Sequence, residues 1–149
     1  MAKDHNLQRF IDAQVDYVTA LAEIRSGKKR SHWMWYIFPQ IAGLGFSTNS
    51  KFYSIKSLDE ATAYVQHSIL GARLLEISGA LLQLNANNAS AIFGSPDDLK
   101  LRSSMTLFGA LPGADAVFQS VLTKFFKGEK DNATVEIMSK LEQDQFEID

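Results

Sequence analysis

Residues 31–45 of this chain read SHWMWYIFPQIAGLG, and the six at 33–38 are all large and apolar or aromatic. Such a run leaves no polar face at helical or strand spacing, and a segment that is apolar all round is buried all round. If Trp33, Trp35, Tyr36 and Phe38 each bury roughly 150–250 Å², the gross transfer term is about 15–25 kcal/mol at ~25 cal/mol/Å². Ser31 is placed to cap a short helix, and Pro39 ends it, because the residue before a proline avoids the α region. The expectation is a buried aromatic helix over 31–38, at the centre of the fold.

The rest of the chain is punctuated into short helices. Leu7, Phe10, Ile11, Val18, Leu21 and Ile24 recur at three-and-four spacing, which predicts an amphipathic helix over 6–26, capped near Asp4 or Asn6 and stopped by Gly27. After the aromatic stretch, Gly43 and Gly45 bracket Leu44, and Ser47, Thr48, Asn49 and Ser50 follow. That is a polar, glycine-punctuated loop directly after the most buried element, and such loops concentrate binding residues. Residues 51–55 fit a helical turn or a short extended piece equally. Ser57 with Glu60 has the spacing of a capping box. Leu70, Leu74, Ile77, Leu81 and Leu84 form one face of a longer helix, and 89–93 is one further turn closed by Gly94. Ser95, Pro96, Asp97 and Asp98 read as an N-cap, a proline in the first turn and two dipole-compensating acids. Two more amphipathic segments follow, the last capped by Asp131. With no strand alternation and no repeat, the chain reads as all-α: a compact bundle of about seven short helices, forming one domain over 4–142, with an acidic tail at 143–149 that frays.

With 149 residues, 46% hydrophobic and 21% charged, the chain is long enough to bury a real core. A formal net charge of -2 denies it a basic field for nucleic acid, a reading that rests only on Lys28, Lys29 and Arg30. There is no cysteine, so disulfides, thiolate catalysis and zinc–thiolate sites are excluded. Three histidines, His5, His32 and His67, leave little from which to build a metal site, and neither a metal nor a cofactor is expected. No apolar run reaches the ~18 residues of a membrane span and no secretory leader is evident, so a cytoplasmic protein without membrane contact is expected.

The candidate chemistry lies in scattered polar residues. His32 falls in the first turn of the aromatic helix beside three cations, which disfavours its imidazolium and leaves a neutral donor or base; a capping or packing histidine held by a backbone carbonyl is the simpler reading. Arg73 and Lys100, with Ser47, Ser103 and Ser104 as neutral donors, suit a phosphate or carboxylate. Against this, helical charges are ordinarily solvated, and serines inside a helix often bond back to the preceding turn. The run from Lys124 to Lys130 reads as a solvated helix end.

Three blocks, KKRSHWMWYIFPQIAGLG, LGARLLEISGALLQL and IFGSPDDLKLRSSMTLF, resemble the signature blocks of the domain-of-unknown-function 1810 (DUF1810) family, over about residues 10–141. The resemblance implies a mainly helical bundle with one helix enclosed by the others, here inferred at 31–38. It implies no activity. Family members sometimes carry the label calpastatin, which is set aside, because calpastatins are disordered inhibitors and this composition is that of a packed globule. The matching motif positions include Ser31, His32, Trp33, Trp35, Gln40, Ser47, Arg73, Lys100, Ser103 and Ser104; one departure is His67-Ser68, where the family more often has His-Pro.

Polar motif residues beside a buried aromatic helix suggest a pocket. The expected function is a cytoplasmic domain that binds a small anionic metabolite, phosphate-bearing and nucleotide- or ADP-ribose-like, with catalysis left open. His32 is the acid–base candidate. Arg73 and Lys100 neutralise the anion, Ser31, Gln40, Ser47, Ser103 and Ser104 orient it, and Trp33 or Trp35 supplies a stacking wall. The alternative is a non-enzymatic structural or interaction module, whose polar residues satisfy one another and whose surface serves a homo-oligomer or another protein.

Overall fold

The computed structural model describes residues 4–148, with side chains to residue 144. Helices α1 (Gln8–Ala13) and α2 (Tyr17–Arg25) are joined by a 3₁₀ turn at Gln14–Asp16, so the long first helix expected over 6–26 is divided. There follow α3 (Met34–Ile37), α4 (Thr48–Phe52), α5 (Leu58–Gln66), α6 (Leu70–Leu82) and α7 (Ala89–Phe93), then α8 (Asp97–Gly109), α9 (Ala116–Phe126) and α10 (Asn132–Ile148). The protein is all-α. Among the described residues the sole β pairing is an isolated parallel bridge between Ile41 and Ile55. The first helix's division and the separate α4 raise the number of helices above the seven expected. α10 extends through much of the stretch expected as an acidic tail, whose last residue, Asp149, lies outside the described residues.

The aromatic stretch is buried, but it is helical for a single turn. Trp33, Met34, Ile37 and Phe38 are at most 2% exposed, whereas Trp35 and Tyr36 are half-buried. The physical reason is a competing acceptor. The Glu23 carboxylate, at the end of α2, takes the backbone N–H groups of Arg30 (2.7 Å) and Ser31 (2.9 Å), the Ser31 hydroxyl (2.6 Å) and the Trp33 indole N–H (2.9 Å). Those bonds turn residues 30–33 toward α2 and delay the helix to Met34. Trp33 then packs against Phe38 and Phe93, with ring centroids 6.2 and 6.3 Å away.

The helix enclosed by its neighbours is α8. Leu101 and the six residues from Ser103 to Phe108 are all buried, and α5, α7, α9 and α10 pack around it. Phe108 links two aromatic runs, lying 5.5 Å from Tyr64 and 6.0 Å from Phe118. The period of apolar residues conceals this, because Ser103, Ser104 and Thr106 are polar by composition. Two of them bond back within the helix, Ser103 to the Leu99 carbonyl (3.2 Å) and Thr106 to the Arg102 carbonyl (2.8 Å), which makes their burial tolerable.

Helix ends are fixed largely as the sequence predicts. Ser57 accepts from the Glu60 N–H (3.0 Å), but the Glu60 side chain does not complete a capping box; it accepts from Lys56 N–H and pairs with Arg9. Asp131 caps α10 at Thr134 (3.0 Å). His67 accepts from the N–H groups of Ile69 and Leu70 and so opens α6. Ser95 is not the cap of α8, since Pro96 occupies that position, and Asp98 bonds the N–H of Leu99. Lys124 is no solvated end: its ammonium donates to the carbonyls of Leu81, Leu82 and Leu84, where α6 finishes. A cation there complements the negative end of the helix dipole.

Candidate functional site

The loop after the aromatic stretch forms one wall of an open groove. Ile55 N–H donates to the Gln40 carbonyl and Ala42 N–H to the Ile55 carbonyl, both at 2.8 Å, which ties residues 40–42 alongside Ile55. Ser47 caps α4 by accepting from Ser50 N–H (3.1 Å) and donates to the Ser50 hydroxyl (2.8 Å). Gly45 lies so close to Ser50 that a Cβ there would sit 2.6 Å from the serine Cβ, and Gly43 has φ +107, where side chains are strained. Residues 51–55 therefore hold both conformations the sequence allowed, a helix end and then an extended pairing.

The groove has a volume of about 660 Å³, with α4 and the 40–46 loop on one side and α8 on the other. Its polar lining is Gln40, Ser50, Lys51, Ser54, Lys56, Lys100, Ser103 and Asp131. Lys51, Lys56 and Lys100 thus face a single carboxylate, and Asp131 is already held as the cap of α10, with Arg102 at 4.0 Å. Lys56 donates to the carbonyls of Lys51 and Ser54, each at 3.3 Å. Lys100 lies 5.3 Å above the Trp35 ring and 3.4 Å from Asp97, which in turn pairs with Lys29 at 2.9 Å. Phe46 lines the groove and is 88% exposed.

The structure sorts the expected site residues into separate places. Gln40, Lys100 and Ser103 line the groove, and Trp35 lies behind Lys100. Ser47 stands outside the lining, as a helix cap. Ser31 and Trp33 belong to the Glu23 cluster. Burial there would raise the Glu23 carboxyl, but four hydrogen bonds, led by that from Ser31, prevail and lower it to about 2. Arg73 donates to Gln14 Oε1 (3.2 Å) and lies 5.2 Å over the Tyr17 ring. Gln14 in turn donates to the hydroxyl of Tyr64, which burial pushes well above the usual phenol range. Ser104 is fully buried, with its hydroxyl unpartnered among the described residues. His32 is exposed and lies outside the groove.

Two lysines of the groove, Lys51 and Lys56, escape sequence reasoning. The signal was present, since both follow the glycine-punctuated loop, but their convergence with Lys100 depends on the Ile41–Ile55 pairing, which has no sequence period.

Residues 4–138 match the family model described as "Protein of unknown function (DUF1810)". Among solved structures, the chain is similar to the conserved hypothetical protein Rv1873 from Mycobacterium tuberculosis. The two are 46% identical, over 90% of this chain and 96% of that one, with a TM-score of 0.88. No curated protein matches the chain.

Proposed function

Because the chain belongs to the DUF1810 family, whose description carries no activity, we propose a function from the groove: a cytoplasmic domain that binds a small anionic, phosphate-bearing metabolite. The observation that carries this is the convergence of Lys51, Lys56 and Lys100 on one cavity beside the hydroxyls of Ser50, Ser54 and Ser103. Ammonium groups and neutral donors in a concave, partly apolar site are the chemistry of phosphate or carboxylate capture. Gln40 orients the ligand and Trp35 backs Lys100. Ser31, Trp33, Arg73 and Ser104 lie outside the groove lining and support the scaffold, and His32 is left as an acid–base candidate that a ligand would have to reach from outside the groove.

A second reading has its own support. Ser31, Trp33 and Arg73 are engaged within the protein, as an interaction module requires, and Val15 in the 3₁₀ turn and Val18 at the start of α2 stand 88% and 78% exposed. The two readings part in a thermal-shift screen against nucleotides, sugar phosphates and ADP-ribose. A ligand at ~100 times its dissociation constant adds about 2.7 kcal/mol, which raises Tm by a few degrees. A shift abolished by Lys51→Ala supports the anion groove; a flat screen, with dimerisation in sedimentation, favours the module.

A further inference from the structure

A second groove, of about 720 Å³, lies on the other side of α4 and is lined by Asp4, His5, Asn6, Thr48 and Phe52 over a floor of Arg9 and Glu60. Its floor offers no free charge. The Arg9 guanidinium donates to four backbone carbonyls and to Glu60, so its donors are engaged and the pair is neutral. Outside that pair the second groove carries the Asp4 carboxylate at one end and the ammonium groups of Lys51 and Lys56, and the two lysines line the first groove as well. Each groove also presents one phenylalanine ring to water, Phe46 in the first, 88% exposed, and Phe52 in the second, 50% exposed.

This arrangement has two aromatic platforms, one in each concavity, with a shared pair of ammonium groups between them. A phenylalanine held in water on a groove wall is a stacking surface for a planar heterocycle, and any base can use it. Ammonium groups on the ridge between two such surfaces meet the charge of a phosphate bridge. Each groove falls in the size range that encloses a small organic ligand, so one nucleotide half fits on each side.

We propose that the bound anion is the phosphate bridge of a dinucleotide, seated on Lys51 and Lys56, with one base on Phe46 and the other on Phe52. This rests on the anion reading above and adds the class of ligand and a second groove to it.

Isothermal titration calorimetry of the full chain with diadenosine pyrophosphate, ADP and inorganic pyrophosphate tests the proposal. The two-headed probe is expected to bind at least ~10-fold more tightly than ADP, a gain drawn from the second stacked base. Phe46→Ala and Phe52→Ala each lower its affinity roughly tenfold, while ADP responds to one of the two substitutions. Lys51→Ala weakens all three probes. Phe46 is 88% exposed, so Phe46→Ala keeps the wild-type melting curve; Phe52 packs edge-to-face on Tyr53 at 4.8 Å, so Phe52→Ala melts somewhat lower and thermal denaturation verifies that it stays folded under the titration conditions. Equal affinity for the two-headed probe and ADP, with Phe52→Ala silent, overturns the dinucleotide and leaves the anion groove standing. Absence of binding by all three probes overturns both.

Discussion

The Glu23 carboxylate accepts the indole N–H of Trp33 at 2.9 Å, so the largest buried side chain of the core is fixed by an acid ten residues before it. The same carboxylate takes the Ser31 hydroxyl and two backbone N–H groups. Glu23→Gln removes the charge, and the amide's own N–H₂ faces donors where an acceptor is needed. It is expected to cost about 2–3 kcal/mol, measured as a lower urea midpoint with an unchanged slope.

The Glu23 carboxyl titrates at about 2 in the fold, against its ordinary 4.5. A folded value below the unfolded one stabilises the protein above the unfolded value, and that contribution disappears as pH falls through the folded value. The stability difference between wild type and Glu23→Gln is therefore constant at neutral pH and narrows between about pH 4.5 and 2. Urea titrations across that range read it directly; a gap that widens on acidification contradicts the assignment.

Arg9 and Glu60 form an ion pair at 2.5 Å with side chains only 6% and 4% exposed. Removing one partner leaves a buried charge uncompensated, so Arg9→Met or Glu60→Gln alone is expected to cost about 3–5 kcal/mol. The double variant costs well under the sum of the two, and a double-mutant cycle in guanidinium chloride gives the coupling.

Lys124 joins α9 to the end of α6 through three carbonyl oxygens. Lys124→Met keeps the stem but abandons those acceptors at the negative end of the helix. A loss of about 1–2 kcal/mol is expected, whereas a solvated lysine changes stability by no more than about 0.5 kcal/mol. Thermal denaturation separates the two.

Lys51 is exposed, and Lys100 is held loosely, 3.4 Å from Asp97 and 5.3 Å above the Trp35 ring. Lys51→Ala and Lys100→Ala should leave stability within about 0.5 kcal/mol of wild type while weakening phosphate-ester binding. Because Lys51 faces open solvent, the wild-type affinity should also fall as salt rises from low to physiological strength. Affinity that ignores both lysines and salt places the anion elsewhere.

The helical class was legible because amphipathic spacing and caps are local signals. Ser57, Asp131 and the turn at Gly94 all sit where their neighbours in sequence require. The enclosed helix was not legible. Its burial depends on Ser103 and Thr106 bonding to their own backbone, so polar letters stand where apolar ones are sought. The aromatic run looked the better centre, yet Glu23, a distant and ordinary-looking acid, shortens its helix to one turn. For the site, the loop and Gln40, Lys100 and Ser103 could be read from the residues, whereas Arg73 was drawn away by Gln14 and Tyr17. Pair contacts between remote segments leave no periodic trace.

The two walls of the first groove differ in how they are anchored. Lys100 and Ser103 rise from α8, the helix with most of its length in the core, while the opposite wall is the short α4 and the loop before it, with no fully buried residue in α4. Amides in the middle of α8 exchange with deuterium only when the whole domain opens, and those of α4 exchange through local openings at much lower free energy. A ligand bridging the walls ties the fast-exchanging side to the slow one. Its isotopic footprint therefore falls on α4 and its loop alone, with α8 already at the ceiling of protection, although both walls touch the ligand equally.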